Sequence, residues 1–301
     1  MRRRSTSPYD VNGRTAFITG AARGIGAETA RRLHAKGANV ALVGLEPERL
    51  QTLAAELGEE RTAVFEADVT DFGALQRAVS NCTRRFGGID VGIANAGVAF
   101  TGPLATTPVE HVERTLAVNF LGVWRTDRAL IGPIVERKGY LLNIAAVAAF
   151  ARGPLMGPYA AAKAGVEGLT DSLRIETRPS GARVGCAYFG FIDTDMARGS
   201  FSQPSAKVMT QSMPAPMRKP IPLSQAIDAI ERGVERRAER LWAPRWVGAT
   251  LVLRGLLQHL TERQMAKEPE RLLEGIRAAE TSGEADAQDP KLGVAMQAAP
   301  D

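Results

Sequence analysis

The sequence predicts an α/β fold, built as one doubly wound parallel sheet in a single domain with a helical extension at its C-terminal end. Three observations predict it. Short β-rich apolar runs alternate with stretches of helical period over about the first 190 residues. A glycine trio stands between the first such run and the first helical stretch. The chain has 301 residues, 45% of them apolar, enough for a large core, and about 200–250 residues suffice for one α/β domain.

The elements follow in order. "TAFIT" is the first strand, and a helical segment near Ile25–Lys36 succeeds it. "NVALVG" leads into "EPERLQTLAAELG", and "TAVFEADV" into a segment ending at "RRFGG". "IDVGIANAG" precedes a long helical segment near Val109–Arg137. "GYLLNIAAV" precedes "PYAAAKAGVEGLTDSLRIET", and "ARVGCAYFGF" is the sixth strand. Strands of four to eight residues alternating with helices mean parallel pairing and right-handed crossovers. The stretch "SFSQPSAKVMTQSMPAPMRKPIPL" is rich in Pro and Met and reads as a mobile flap rather than packed core. A helix near Ser224–Arg237 and a short strand, "RLWAP", close the body. The expected organisation is a flexible basic arm over 1–10, the main α/β domain over 11–245, a helical extension over 246–280, and a disordered tail over 281–301.

Composition narrows the class. The formal charge is 38 − 33 = +5 with acids and bases interleaved, so solvated basic faces explain the excess and no nucleic-acid partner is expected. Two cysteines, Cys82 and Cys186, make no disulfide framework, and with three scattered His they make no zinc site. "MRRRSTSPYD" lacks the apolar run of a signal peptide, and no stretch of about 18 apolar residues occurs to span a bilayer. A cytoplasmic enzyme or binding domain is the expectation.

The glycine trio lies in "TGAARGIG", with Gly20, Gly24, Ile25 and Gly26 between strand and helix. Glycine lets the backbone turn sharply and approach a phosphate, and the following helix offers unpaired N–H groups. This is the opening of a Rossmann dinucleotide site. An acid after the second strand would bond the adenosine ribose and favour NAD. Gly44 and Leu45 stand there instead, and Arg23 in the glycine turn can face a 2′-phosphate, which leans toward NADP; Glu46 keeps NAD open. Asp68 and Val69 after the third strand are placed for the adenine edge, and Asn95, Ala96 and Gly97 after the fourth for the middle of the cofactor.

Tyr159 and Lys163, in "YAAAK", share a helix face. An ammonium beside a phenol is expected to lower its pKa, and such a Tyr can act as acid toward a carbonyl oxygen or base toward an alcohol. "TGAARGIG", "ANAG", Asn119 in "VNFLG", "YAAAK" and "IDT" at Ile192–Thr194 together resemble the short-chain dehydrogenase/reductase family in its compact form, over Val11 to Pro244. The resemblance implies hydride transfer between a nicotinamide and a carbonyl or alcohol carbon. It implies Tyr159 as acid/base, Lys163 on the nicotinamide ribose, Asn119 positioning a water, and Asn95 supporting the fourth-strand loop. It also implies Ile192 and Thr194 on the carboxamide, and homodimers or homotetramers through the long helices.

Two positions depart from the family pattern. A Ser usually stands thirteen residues before the Tyr and bonds the substrate oxygen; here that position is Ala146, and neither Ala145 nor Val147 carries a hydroxyl. Losing one donor to a developing oxyanion costs about 3–4 kcal/mol, a factor of about 10²–10³. Three readings stay open: a chain weakened or inactivated by Ala in place of a native Ser, a natural enzyme with another oxygen-binding group, or a non-catalytic cofactor-binding sensor or scaffold. The intact cofactor turn, Tyr159, Lys163 and Asn119 favour the first. Phe189 stands where the family usually has Pro, and with Phe191 it either widens an aromatic wall or packs in the core.

Val98, Phe100, Val147, Phe150, Leu155, Met156, Phe189 and Phe191 lie at the strands' carboxyl ends, with Met209, Met213 and Met217 on the flap. This apolar, adaptable set favours a lipophilic ketone or secondary alcohol. The extension "WVGATLVLRGLLQHL" has Trp246, Leu253, Leu257 and Leu260 at helical spacing. Docking on the body is the first expectation, and peripheral membrane contact through 246–260 the second.

Overall fold

A computed structural model describes residues 8–211, 220–255, 262–263 and 266–282. Seven parallel strands form one sheet in the order β3-β2-β1-β4-β5-β6-β7: β1 (Thr15–Thr19), β2 (Asn39–Gly44), β3 (Thr62–Glu66), β4 (Val91–Ala94), β5 (Tyr140–Ala146), β6 (Arg183–Phe189) and β7 (Arg240–Ala243). The doubly wound sheet is as expected, and its order reverses between β1 and β4.

Alternation along each strand sends neighbours to opposite faces, and both faces are covered. Ala16, Ile18, Val40 and Leu42 pack on one side beneath α1 (Gly24–Ala35), α2 (Pro47–Leu57) and α9 (Leu223–Arg236). Phe17, Ala41, Val43 and Leu141 pack on the other, with Leu130 and Ile134 of α5 (Gly122–Glu136) and Val79 of α3 (Phe72–Phe86). Starts and stops follow local chemistry. Asp71 caps α3 by accepting from the Ala74 N–H at 3.0 Å, and Gly87 ends it in the left-handed conformation. Pro158 sits in the first turn of α6 (Gly157–Thr177), where its missing N–H costs nothing.

The long helical segment expected over Val109–Arg137 is α4 (Val109–Leu116) running through a π-turn, Ala117–Leu121, into α5. The flap expectation is corrected in part. Residues Asp195–Ser202 form α7 and Pro204–Gln211 form α8, with Gln203 and Ser205 buried. The Thr101 hydroxyl donates to Gln203 Oε1 at 2.6 Å, tying this segment to the loop after β4. Met213 and Met217 lie outside the described residues, as does all of the chain beyond 282.

The extension begins as α10 (Trp246–Val252), and α11 (Pro269–Ser282) packs against α8. Val247 is buried beside Phe150 and Tyr188. Glu167 of α6 is 8% exposed, and its Oε1 accepts from Tyr188 Oη at 2.9 Å and from Arg254 at 2.6 Å. The extension therefore supplies the cation for a buried carboxylate, and docking on the body is observed through Arg254. Residues 256–260 of the stretch considered for membrane contact lie outside the described residues. Among the described residues no helix is long and apolar enough to cross a membrane. Arg254→Ala is expected to lower stability by about 1–2 kcal/mol, the lower part of the range for a charge-assisted bond because Arg254 is half-exposed. Urea denaturation of the full chain reads this out, and an unchanged midpoint would rule out an electrostatic anchor.

Candidate active site

The site starts from backbone crowding at the sheet's reversal point. Gly20 (φ +65°) turns the chain out of β1, and a Cβ on it would lie 2.8 Å from Ala96 Cα. A Cβ on Gly26 would lie 2.2 Å from the Gly20 carbonyl oxygen and 2.8 Å from Asn95 Nδ2. Asn95 Nδ2 donates to the Thr19 and Gly20 carbonyls at 2.9 and 3.2 Å. The N–H groups of Asn95 and Ala96 donate to Thr19 Oγ1 at 3.0 and 3.2 Å. Asn95 thus supports the glycine turn as well as its own loop. Gly24 (φ +55°) opens α1. Arg23 at the N-cap is extended and gives no side-chain cap, so Ile25 and its neighbours present first-turn N–H groups free of any side-chain acceptor from the cap. That donor set fits a pyrophosphate.

At the ribose end Gly44 is buried and Leu45 is exposed. Arg23 is not free: its Nε lies 3.3 Å from Glu46 Oε2, and Arg49 Nε lies 3.8 Å from Glu46 Oε1. At the end of β3, Asp68 Oδ1 accepts from the Thr70 N–H at 2.8 Å, and Arg114 lies 3.3 Å from Oδ2. Burial opposes the Asp68 charge, but the Thr70 N–H and Arg114 outweigh it and hold the carboxyl below its usual range. Val69 packs into the core with Leu75 and Val98.

Tyr159 and Lys163 stand one turn apart on α6, with Lys163 Nζ 5.6 Å from the Tyr159 ring centroid. Lys163 is buried, and Nζ donates to the Ile144 carbonyl of β5 at 2.8 Å. The expected lowering of the phenol is corrected. Tyr159 is half-buried by surface, yet dense surroundings push its phenol up to about 12. The same desolvation brings the Lys163 ammonium down to about 8. Ala146 ends β5, buried, in register with Phe189 and with no oxygen on its side chain.

Asn119 sits in the π-turn, an element common at functional sites. It is fully buried. Its Oδ1 accepts from the Val98 N–H at 2.8 Å, and its Nδ2 donates to the Val98 carbonyl at 2.7 Å. A Cβ on Gly97 would meet Asn119 Oδ1 at 2.9 Å, so the loop after β4 is pressed onto this amide. Thr194 Oγ1 accepts from the Ala197 N–H at 3.3 Å as the cap of α7, and Ile192 is buried in the core.

The residues expected in the apolar wall divide by burial. Val98, Phe100, Phe150 and Phe189 are packed in core clusters. Phe100 stacks on His111 at 4.5 Å, and Phe150 lies 6.0 Å from Tyr188. Phe189 alternates away from Tyr188 along β6 and so joins Ile192 and Ile230 on the opposite face. Val147, Leu155, Met156 and Phe191 remain half-buried. Met213 lies outside the described residues. His111, Gln203 and the Glu167–Arg254 pair were not singled out from the sequence. Each depends on a partner distant in the chain, which spacing does not show.

Comparison with known proteins fits this geometry. The sequence pattern of the family described as short chain dehydrogenase matches residues 14–205. "Oxidoreductase UcpA" of Salmonella typhimurium is 35% identical over 227 residues, covering 74% of this chain and 86% of that protein. "3beta-hydroxysteroid dehydrogenase 1" of Eggerthella lenta is 31% identical over 209 residues, 68% of this chain and 80% of that protein. A short-chain dehydrogenase/reductase from Burkholderia phymatum, solved in complex with NAD, superposes with a TM-score of 0.73 at 21% identity, over 84% of this chain and 96% of that one. The chain belongs to the short-chain dehydrogenase family, whose members are oxidoreductases.

The crowding at Gly26 carries its own prediction. Gly26→Ala forces the Gly20 carbonyl to move and is expected to cost at least about 2 kcal/mol. A thermal midpoint within a degree or so of the unmodified protein would show that the turn has slack.

Proposed function

We propose that this short-chain dehydrogenase reduces a lipophilic ketone, or oxidises the corresponding secondary alcohol, with a nicotinamide dinucleotide. The observation that carries the reading is Tyr159 and Lys163 on one face of α6, with Lys163 held at the carboxyl end of β5, the sheet edge where the uncapped α1 terminus also lies. The dinucleotide supplies or accepts the hydride. The first-turn N–H groups of α1 would hold its pyrophosphate, and Asn95, Ala96, Gly97, Ile192 and Thr194 would hold the rest of it. Tyr159 donates a proton to the carbonyl oxygen or takes one from the alcohol. Its raised pKa keeps the phenol protonated at neutral pH, which suits donation and hence reduction. Lys163, with Nζ 5.6 Å from the phenol ring centroid, would steady charge on the phenol oxygen as the proton leaves. Asn119 fixes the loop carrying Val98 and thereby the floor of the site.

Val147, Leu155, Met156 and Phe191 offer the substrate an apolar surface. A relative named for a hydroxysteroid supports this substrate class. Glu46 on Arg23 supports NAD over the NADP leaning of the sequence, since a 2′-phosphate has to displace that acid. A solved neighbour bound to NAD agrees. Exposed Leu121 at the end of the π-turn, Trp124 on α5 and Ile175 on α6 support a homodimer or homotetramer through these helices.

Ala146 supports a second reading, a dinucleotide-binding sensor without turnover. One comparison separates the two: NADH and NADPH consumption with lipophilic ketones, for this chain and for Ala146→Ser. The enzyme reading predicts a rate about 10²–10³-fold higher with Ser, the recovery of one oxyanion donor. Cofactor binding without turnover in both forms supports the sensor and contradicts the enzyme. For the cofactor, Glu46→Gln is expected to shift the NADPH-to-NADH affinity ratio about tenfold toward NADPH, roughly 1.4 kcal/mol, in fluorescence titration. An unchanged ratio would remove Glu46 from cofactor choice.

A further inference from the structure

Behind the Tyr159–Lys163 site lies a buried polar group that the proposed reaction does not use. Asp127 of α5 is 2% exposed, and Asn143 of β5 and Thr170 of α6 are 0% exposed. Asn143 Nδ2 donates to Asp127 Oδ2 at 2.8 Å and to Thr170 Oγ1 at 3.0 Å. The Thr170 hydroxyl donates in turn to the Val166 carbonyl at 2.6 Å. Both Asn143 N–H bonds and the Thr170 proton are then used. Two atoms are left over, Asp127 Oδ1 and Asn143 Oδ1, each buried with no partner.

Two orphan acceptors on one bonded pair of side chains are one proton short. An ionised Asp127 leaves both atoms unsatisfied in an apolar setting, with only the Asn143 hydrogen bond to stabilise its charge. A protonated Asp127 becomes a donor from Oδ1, and Asn143 Oδ1 accepts. That proton supplies the missing donor beside the orphan acceptor of the residue to which Asp127 is already bonded. Turning the amide over swaps its two ends but still leaves the pair one proton short.

We propose that Asp127 is held as a neutral carboxylic acid and serves as a positioning residue, binding α5, β5 and α6 together behind the site. The residue after Asn143 is Ile144, whose carbonyl takes Lys163 Nζ. Thr170 lies about two turns beyond Lys163 on the same side of α6. The acid therefore clamps the strand and the helix between which the Lys163 hydrogen bond runs.

The surroundings agree. Burial pushes the Asp127 carboxyl up to about 8, with the Asn143 bond opposing only in part. On β6, Cys186 pairs in register with Asn143, and burial holds its thiol up to about 12. On α6, Glu167 is engaged by Tyr188 and Arg254, and Lys163 is brought down to about 8 by burial. On α3, Cys82 is pushed up to about 12 by burial, and on α5 itself Arg128 is exposed. The residues of β4 carry no titratable group.

The sign follows from linkage. An acid with a raised native pKa binds its proton more tightly folded than unfolded, so its contribution to stability falls as pH rises from about 4 to about 8 and then levels. Asp127→Asn replaces the O–H donor by an N–H donor without titrating. Urea unfolding of the two full-length forms from pH 5 to 9 tests this. The unfolding constant of the unmodified chain, relative to Asp127→Asn, is expected to rise about tenfold per pH unit between pH 5 and 7. A pH-independent ratio would overturn the proposal and leave Asp127 ionised, with a buried water serving its oxygens. If Asp127→Asn does not fold, the infrared carbonyl stretch of a protonated carboxyl in the unmodified chain at pH 6 decides: its presence supports the neutral acid and its absence overturns it. The positioning role rests on the proposed function and is read separately. NADH affinity of the unmodified chain is expected to fall more steeply above pH 8 than that of Asp127→Asn, and equal slopes would remove that role while leaving the proton in place.

Discussion

The close approach of the β1–α1 turn to the end of β4 is the constraint on which the rest of the site depends. Gly26 lies so near the Gly20 carbonyl that no side chain fits between them. Asn95 fills the remaining gap and takes both carbonyls of the turn. The sheet order reverses at this point, the place where open α/β sheets bind ligands at the strands' carboxyl ends. The same β4 loop continues to Val98, where Asn119 grips the backbone through both ends of its amide. One line of contacts therefore runs from the glycine turn to the π-turn between α4 and α5.

A second line runs through β5. Ile144 holds Lys163, Asn143 beneath it holds Asp127 and Thr170, and Ala146 ends the strand without a hydroxyl. Desolvation governs the chemistry along this line. It raises Tyr159 and Asp127 and lowers Lys163, all toward the neutral form. A site dry enough to do this keeps a phenol protonated until a substrate oxygen arrives.

Much of this was legible in the sequence. Strands showed as short β-rich runs, and all seven lie where those runs are. The glycine turn and the Tyr–Lys pair showed because their spacing is local, three to seven residues along the chain. What spacing cannot show is which face a residue takes and which distant partner it meets. Phe189 read as a pocket wall or core residue, and strand alternation put it in the core. Arg23 read as a free cation for a phosphate, and Glu46 folded back onto it across the β2–α2 turn. The Tyr159 pKa was expected from one neighbour's charge, and burial set it instead. Asp127 did leave a trace, an acid in line with Leu130 and Ile134 on the apolar side of α5. Its partner Asn143 is on another element, so the trace had no meaning until the strand and helix were brought together.

The central claim is that Tyr159 handles the proton while hydride moves between a nicotinamide and a lipophilic carbonyl carbon. Isotope transfer tests it most directly. The protein, a ketone it turns over or binds, and a nicotinamide dinucleotide carrying deuterium at the reacting carbon are incubated, and the alcohol is analysed by mass spectrometry. The account predicts one deuterium on the carbinol carbon, delivered to one face, and its loss in Tyr159→Phe at unchanged cofactor affinity. Cofactor bound with no deuterium transferred, in this chain and in Ala146→Ser alike, would contradict it.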